Sequence, residues 1–422
     1  MINIEKFLTE ASLDGWKING KKTESYELFF VHKKLETVRA TDTDEVTVTV
    51  YDDHDGKKGQ ASFKLYASTT EDEARAKIES AKKKASLISN EYYELPSAER
   101  LDGVIESNVS SVAPEDIASR IADAVFSADM QDKGSVNALE IFINKYTVTL
   151  KNSRGVDKRE VKYGLMIEAI PTWNEGESVE LYEAIYTSEF DYAKIKSEIE
   201  EKMREVRDRG RAKAPEVKLV CPVLLPAEEL SELFGELAYN LSYAQVYNRQ
   251  NPFSEGDPVQ KAPTGDRIGI TMRGQIKGST ASALFDGDGT TLKDATIIEN
   301  GIVCGYFGGE RFAGYLGKPA TGDLSCYEVT PGTLTDTELS TIPHFRCVSM
   351  SGLQLDVYND YIGGEVRLAY YCDGNTITPI TGISISGKLS DALSSVRLSD
   401  TLTQTGRYKG PKLALFQGIE IV

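Results

Sequence analysis

Histidine is nearly missing from this sequence. His32, His54 and His344 are the three in 422 residues, and they lie far apart. A metal site built on paired imidazoles therefore has no evident donors. Cysteine is scarce as well. Cys221, Cys304, Cys326, Cys347 and Cys372 make an odd number, mostly inside apolar runs. That suits buried free thiols in a reducing compartment and speaks against a disulfide framework. No hydrophobic run approaches a membrane span, and residues 1–10 lack the basic stretch and apolar core of a signal peptide. A cytoplasmic location is expected. Positive charge is outweighed: 48 Lys and Arg face 65 Asp and Glu, for a net charge of −17. Such a surface repels phosphate backbones and anionic lipid, so neither nucleic acid nor membrane is an expected partner. A cationic or neutral peptide is more compatible. No glycine-rich phosphate loop precedes a helix.

What is present reads as folded structure along most of the chain. Its 422 residues are too many for one typical core, and two domains are expected. Residues 3–12 place Ile4, Phe7, Leu8 and Ala11 on one helical face. Strand-like runs follow at 26–32, 35–40, 45–52 and 59–66. In the third, Val46, Val48 and Val50 alternate with Thr47, Thr49 and Tyr51, the pattern of a half-buried antiparallel strand. Thr70 and Glu73 frame a capping box that opens a helix with Ala74, Ile78, Ala81, Ala85 and Ile88 at helical spacing. The pattern then recurs, with a helix from Pro114, strands at 137–143, 147–152, 159–171 and 178–188, and a helix over 191–209. Residues 1–215 are thus expected to form one α+β domain of two helix–strands–helix halves with antiparallel sheets. Residues 217–225 read as an apolar strand and 226–241 as a helix with Leu230, Leu233, Phe234, Leu237 and Leu241 inward. Glycine, threonine and short strands dominate afterwards. Residues 216–422 are expected to be a β-rich, barrel-like domain with one embedded helix.

The densest turn chemistry lies in residues 284–322. Phe285-Asp286-Gly287-Asp288-Gly289 and Glu299-Asn300-Gly301 put glycine where a backbone needs positive φ. Asn300-Gly301, between two β-rich runs, is expected to be a type I′ hairpin tip. Ala313 to Gly317 and then Ala320-Thr321-Gly322 close the stretch. These blocks, in this order and with these gaps, resemble the C-terminal half of the TldD/PmbA family of zinc peptidases and their partners, also called modulators of DNA gyrase. Asn152-Ser153-Arg154-Gly155 resembles a recurring turn of that family, and Ser351-Gly352-Leu353 and residues 375–380 its closing segments.

In the family's catalytic branch, the helix after the apolar strand carries His-Glu-x-x-x-His, and a cysteine near the C-terminus adds a ligand. The corresponding stretch here, residues 233–243, has no histidine, and residues 405–422 have no cysteine. Leu233-Phe234-Gly235, with Val246-Tyr247-x-Arg249, resembles instead the PmbA branch, also called TldE. That branch lacks the metal motif and partners the catalytic TldD branch in peptide trimming. The resemblance implies no catalytic residue, metal ligand or cofactor in this chain, with zinc only in a catalytic partner. It implies a TldD-type homologue, or a second copy, as partner, and no catalysis by the chain alone. It also sets the helix at a cleft, where Glu236, Tyr239, Asn240 and Tyr243 can hydrogen-bond an extended peptide. Tyr239 and Tyr243 can equally cap the apolar core. The alternatives are a stand-alone degenerate peptidase and a self-associating peptide-binding protein. Other candidate sites read as structure. His344 and Cys347 suggest a chance histidine beside a buried thiol. His54 belongs to a polar hairpin tip. Asp286 and Asp288 lack the further oxygen ligands of a Ca²⁺ loop, and Thr321 has no nearby histidine to activate it.

Overall fold

Strand pairing carries much further than the short apolar runs suggest. The structure is a computed structural model that describes residues 2–129, 133–339 and 341–422. After α1 (Ile4–Glu10) comes β1 (Gly15–Val31), then β2 (Lys34–His54) and β3 (Lys57–Leu65). The expected runs 35–40 and 45–52 belong to one strand, because the polar residues between them keep pairing with β1, Ser25 opposite Thr41 and Lys22 opposite Asp44. A partner strand distant in sequence overrides local polarity here. Helix α2 (Glu71–Ala85) starts at the Thr70–Glu73 capping box. There follow β4 (Asn90–Glu91), β5 (Arg100–Val104), α3 (Pro114–Phe126), β6 (Gly134–Asn152), β7 (Asp157–Glu175), β8 (Glu177–Glu180), β9 (Glu183–Thr187) and α4 (Tyr192–Arg211).

The two halves share one nine-stranded sheet in the order β4-β3-β2-β1-β6-β7-β5, with β8 and β9 also on β7. They join edge to edge where β1 and β6 pair antiparallel. Val48, Val50 and Leu65 pack under α1 and α2, and Leu139, Ile141, Leu165 and Ile167 under α3 and α4. In the first half of β7, every second residue on the other face is polar or small: Lys158, Glu160, Lys162 and Gly164.

The remainder opens with β10 (Val223–Pro226), α5 (Ala227–Asn240) and α6 (Tyr243–Tyr247). The expected apolar strand at 217–225 is shorter than its composition suggests. Val217 and Val220 are 71% and 88% exposed. Pro222 has no N–H to give a ladder; only from Val223 is the chain flanked by partners, His344–Met350 in parallel and Leu413–Phe416 antiparallel. Next come β11 (Ile270–Arg273), β12 (Ala295–Glu299), β13 (Ile302–Val303), α7 (Glu310–Leu316) and β14 (Cys326–Val329). A second nine-stranded sheet contains β10, and a six-stranded sheet runs β13-β12-β11-β14 and on through Tyr408–Pro411 to Leu402–Thr405. Neither sheet closes on itself. Together they wrap α5, whose Leu230, Leu233, Phe234 and Leu237 sit in the shared core. Cys326, Cys347 and Cys372 are buried free thiols, whereas Cys304 is exposed.

The hairpin tip between β12 and β13 has the expected form. Asn300 and Gly301 both take positive φ, 52° and 78°. A side chain on Gly301 would also meet the Gln260 Oε1 at 2.5 Å. Gln260 cannot withdraw cheaply, since that oxygen accepts the Ile268 N–H at 2.9 Å and its amide donates to the Leu393 carbonyl at 2.7 Å. Gly301→Val is expected to cost on the order of 1–3 kcal/mol, the range of strained backbone positions. A urea denaturation midpoint equal to that of the parent would refute this.

Candidate functional site

Helix α5 forms because Leu230, Leu233, Phe234 and Leu237 recur at helical spacing and find apolar surface on both sides. Phe234 stacks parallel to Tyr408 at 6.4 Å, and Tyr327 meets Tyr408 edge-on at 5.8 Å. The Tyr327 hydroxyl donates to the Ser231 carbonyl of α5 at 2.5 Å. It also lies 3.0 Å from where a Cβ on Gly235 would stand. Position 235 is therefore held small by a buried tyrosine.

Set on Glu236, the one glutamate of residues 233–243, the spacing His-Glu-x-x-x-His falls on Gly235, Glu236 and Asn240. Gly235 offers no donor atom. The Asn240 amide donates to the Glu236 carboxylate and carbonyl, both at 2.9 Å. The residues present do not fit a zinc ion, whose ligands are imidazole, thiolate and carboxylate. His32 lies in the β1–β2 turn, His54 hydrogen-bonds with Asp52 and Ser89, and His344 is buried with its Nδ1 2.7 Å from the Ile342 carbonyl. Among the described residues no three His, Cys, Asp or Glu side chains gather to hold a metal.

Of the other expected site residues, Tyr239 is 57% exposed at the end of α5. Tyr243 turns inward: it is 3% exposed, and its hydroxyl donates to the Pro319 carbonyl at 3.0 Å. Glu236 and Asn240 are thus brought together, while the two tyrosines point to different surroundings. One turn on, Tyr247 meets Tyr315 and Phe312 of α7 at 4.9 and 5.7 Å. Arg311 of α7 ties this aromatic corner to Asn90 at 3.0 Å.

The turn blocks of residues 284–322 converge except for the hairpin. Asp286 is buried, and its Oδ1 accepts the N–H groups of Asp288 and Thr290, each at 2.9 Å. Its Oδ2 accepts the Asp323 N–H at 3.1 Å, and Asp323 in turn accepts the Gly309 N–H at 2.8 Å. Thr321 accepts the Gly308 N–H at 2.9 Å. Gly317 ends α7 in the left-handed conformation at φ 64°, and Gly322 has φ 79°. Burial, with Asp288 and Asp323 close by, pushes the Asp286 carboxyl up to about 6. Asn300 and Gly301 lie apart, where the Gly301 N–H donates to the Ile268 carbonyl at 2.7 Å.

The Asp286 loop docks on the first sheet through residues that the sequence did not single out. Gly289 has φ 92°, and a Cβ there would strike Leu150 at 2.6 Å. Lys17 donates to the Gly287 carbonyl at 2.9 Å and pairs with Asp288. Lys158, its side chain fully buried, donates to Glu99 and to the Thr291 hydroxyl, each at 2.6 Å. Glu160 accepts the Leu284 N–H at 2.7 Å, and Lys162 donates to the Ser282 carbonyl at 3.0 Å. The available signal was the Lys158, Glu160, Lys162 alternation, a charged strand face that must find partners.

At the other end of α5 lies a cleft of about 600 Å³. Its walls are β9 and α4 on one side, and Pro226 to Glu228, Arg346 to Val348 and Thr403 to Gly406 on the other. Lys202 pairs with Glu183 and Glu205 at 3.1 and 2.7 Å, and Glu201 with Arg346 at 3.6 Å. Burial, with Glu183 and Glu228 adding repulsion, pushes Glu198 up to about 7.

Residues 218–422 match the model of the PmbA/TldA metallopeptidase C-terminal domain. Residues 218–422 thus form a domain of the TldD/PmbA family. The chain's fold is shared by the crystal structure of TldE from Thermococcus kodakarensis, at 16% identity and a TM-score of 0.81, over 99% of this chain and 98% of that one. A suggested modulator of a DNA gyrase from Thermotoga maritima is similar at 14% identity and a TM-score of 0.79, over 99% of each chain. A second suggested modulator of DNA gyrase, from Bacteroides thetaiotaomicron, gives 12% identity and a TM-score of 0.77, over 99% of this chain and 97% of that one. No curated protein matches the sequence significantly.

Glu229, on the first turn of α5, supplies a pH test of this region. Burial, with Glu228 and Glu232 adding repulsion, pushes its carboxyl up to about 7. A carboxyl raised in the folded state favours folding while protonated. That contribution is whole below the unfolded value of about 4.3 and is lost as pH rises to about 7. Glu229→Gln cannot ionise, so it should match the parent near pH 4 and exceed it by on the order of 1–3 kcal/mol near pH 8. Urea midpoints at the two pH values check this; equal midpoints at both would show that the carboxyl is not perturbed.

Proposed function

We propose that this chain is the non-catalytic subunit, of the PmbA/TldE type, that pairs with a zinc-dependent TldD-type peptidase and supplies part of a peptide path. The observation that carries the proposal is the state of the motif positions on α5. Gly235 is kept small by Tyr327, and Asn240 occupies the Glu236 carboxylate at 2.9 Å. A carboxylate so engaged, with no imidazole one turn away, is not set up as general base to a metal-bound water. Tyr239, exposed at the end of the same helix, offers a rigid aromatic contact for a peptide or a partner. A net charge of −17 favours a neutral or cationic peptide over nucleic acid. Zinc then resides in the partner alone, and the complex works in the cytoplasm. Among the described residues no helix is long and apolar enough to cross a membrane.

The test mixes the chain with a TldD-type homologue bearing His-Glu-x-x-x-His from the same genome and follows cleavage of short unstructured peptides. The mixture should cleave, and each protein alone should be far less active. Tyr239→Ala should slow the mixture about tenfold with unchanged unfolding, as loss of one aromatic contact of about 1.4 kcal/mol would. Elemental analysis of the chain purified without chelator should find far less than the roughly one zinc per chain of a bound site. Equal cleavage by the homologue alone, or hydrolysis by this chain alone that survives chelation, would overturn the subunit reading.

A further inference from the structure

The cleft at the start of α5 is bounded by two strand edges. β9 pairs with β7 on one side only, and Leu402–Thr405 is the outer strand of the six-stranded sheet. Both lie in the cleft wall, β9 with Glu183 to Thr187 and the other strand with Thr403 to Thr405. The edges meet at one end, where the Ser188 N–H donates to the Gly278 carbonyl at 2.9 Å and a Cβ on Gly278 would touch Gln404 at 2.8 Å. An edge strand leaves alternate N–H and C=O groups without ladder partners, which is how an extended chain is captured by strand addition.

Charge decides what kind of chain fits. Seven acidic side chains line the cleft against five basic ones. Of the basic groups, Lys202 is already held by Glu183 and Glu205. Glu198 projects from α4 and Glu228 from the start of α5, on opposite walls. Among the described residues Glu198 has only Lys194, at 3.7 Å, as ion-pair partner. The facing Glu228 and Glu183 raise its pKa, a repulsion that a cationic side chain entering between them relieves.

We propose that this cleft binds an extended basic peptide segment, its backbone along the β9 or Leu402–Thr405 edge and a lysine or arginine side chain between Glu198 and Glu228. The proposal rests on the peptide-path reading and moves the recognition of charge to the opposite end of α5 from Tyr239.

Fluorescently labelled unstructured ten-residue peptides, one rich in Lys, one rich in Glu and one of Ser and Gly, are titrated into the full chain and followed by anisotropy. The Lys-rich peptide should bind at least tenfold more tightly than the other two. A variant combining Glu198→Gln and Glu228→Gln, with parental unfolding, should remove most of that preference, while Glu71→Gln with Glu79→Gln, exposed on α2 and outside the cleft, should leave it intact. Raising salt alone should not abolish the difference between the parent and the Gln variant at matched ionic strength, as it would for diffuse surface attraction. Lys-rich binding unchanged in the double variant overturns the cleft assignment. So does an equal loss in the Glu71 and Glu79 variant, which marks diffuse charge attraction, and either result leaves the subunit reading standing. If none of the peptides binds, the cleft proposal fails, and the cleavage assay with the TldD-type homologue decides the subunit reading separately.

Discussion

The structure depends on one buried ammonium. Lys158 has no exposed side-chain surface, and burying its charge is costly unless it is paired and hydrogen-bonded. Glu99 and Thr291 each accept a hydrogen bond from it, and Thr291 itself donates to Glu99 at 2.8 Å. This triangle joins the first sheet to the segment after the Asp286 turn. Glu160 and Lys162, next on the same face, fix Leu284 and Ser282 and so extend the contact along the strand. The Asp286 loop is held at both ends by this arrangement. Through Asp323 and Gly309 it sets the start of α7, and α7 in turn carries the aromatic corner against α6. The order of effects runs from a charged strand face to a turn, then to two short helices, and finally to the end of α5.

What could be read in advance was what depends on neighbours in sequence. The Thr70 capping box and the Asn300-Gly301 tip follow from the chemistry of adjacent residues. The α5 core face follows from helical spacing. Strand lengths did not, because Thr41 to Asp44 and Asn144 to Tyr146 are polar and are strand only by virtue of partners in β1 and β7. Val217 to Cys221 erred the other way, apolar but without a partner for the backbone before Pro222.

The candidate site divides along the same line. That α5 lacks ligands is visible in its residues. That Asn240 locks Glu236 is a contact within one helix turn and was in principle readable. The inward turn of Tyr243 was not, since its partner Pro319 lies 76 residues away. Nor was the cleft, whose walls come from five separated stretches of chain. Lys158, Glu160 and Lys162 were visible as a charged alternation, but nothing local says that residues 282–291 will cover it.

Gly235 and Tyr327 bear on the history of such a helix. An imidazole at position 235 would crowd the Tyr327 hydroxyl, which stands 3.0 Å from where its Cβ would be, and one of the two would have to shift. Tyr327 cannot easily yield, because it is 1% exposed, bonded to Ser231 and packed on Tyr408. A ligand regained at position 235 would strain this contact unless β14 changes with it. A single tyrosine thus acts as a ratchet: once glycine and tyrosine are both in place, the path to metal chemistry at this helix passes through a less stable intermediate.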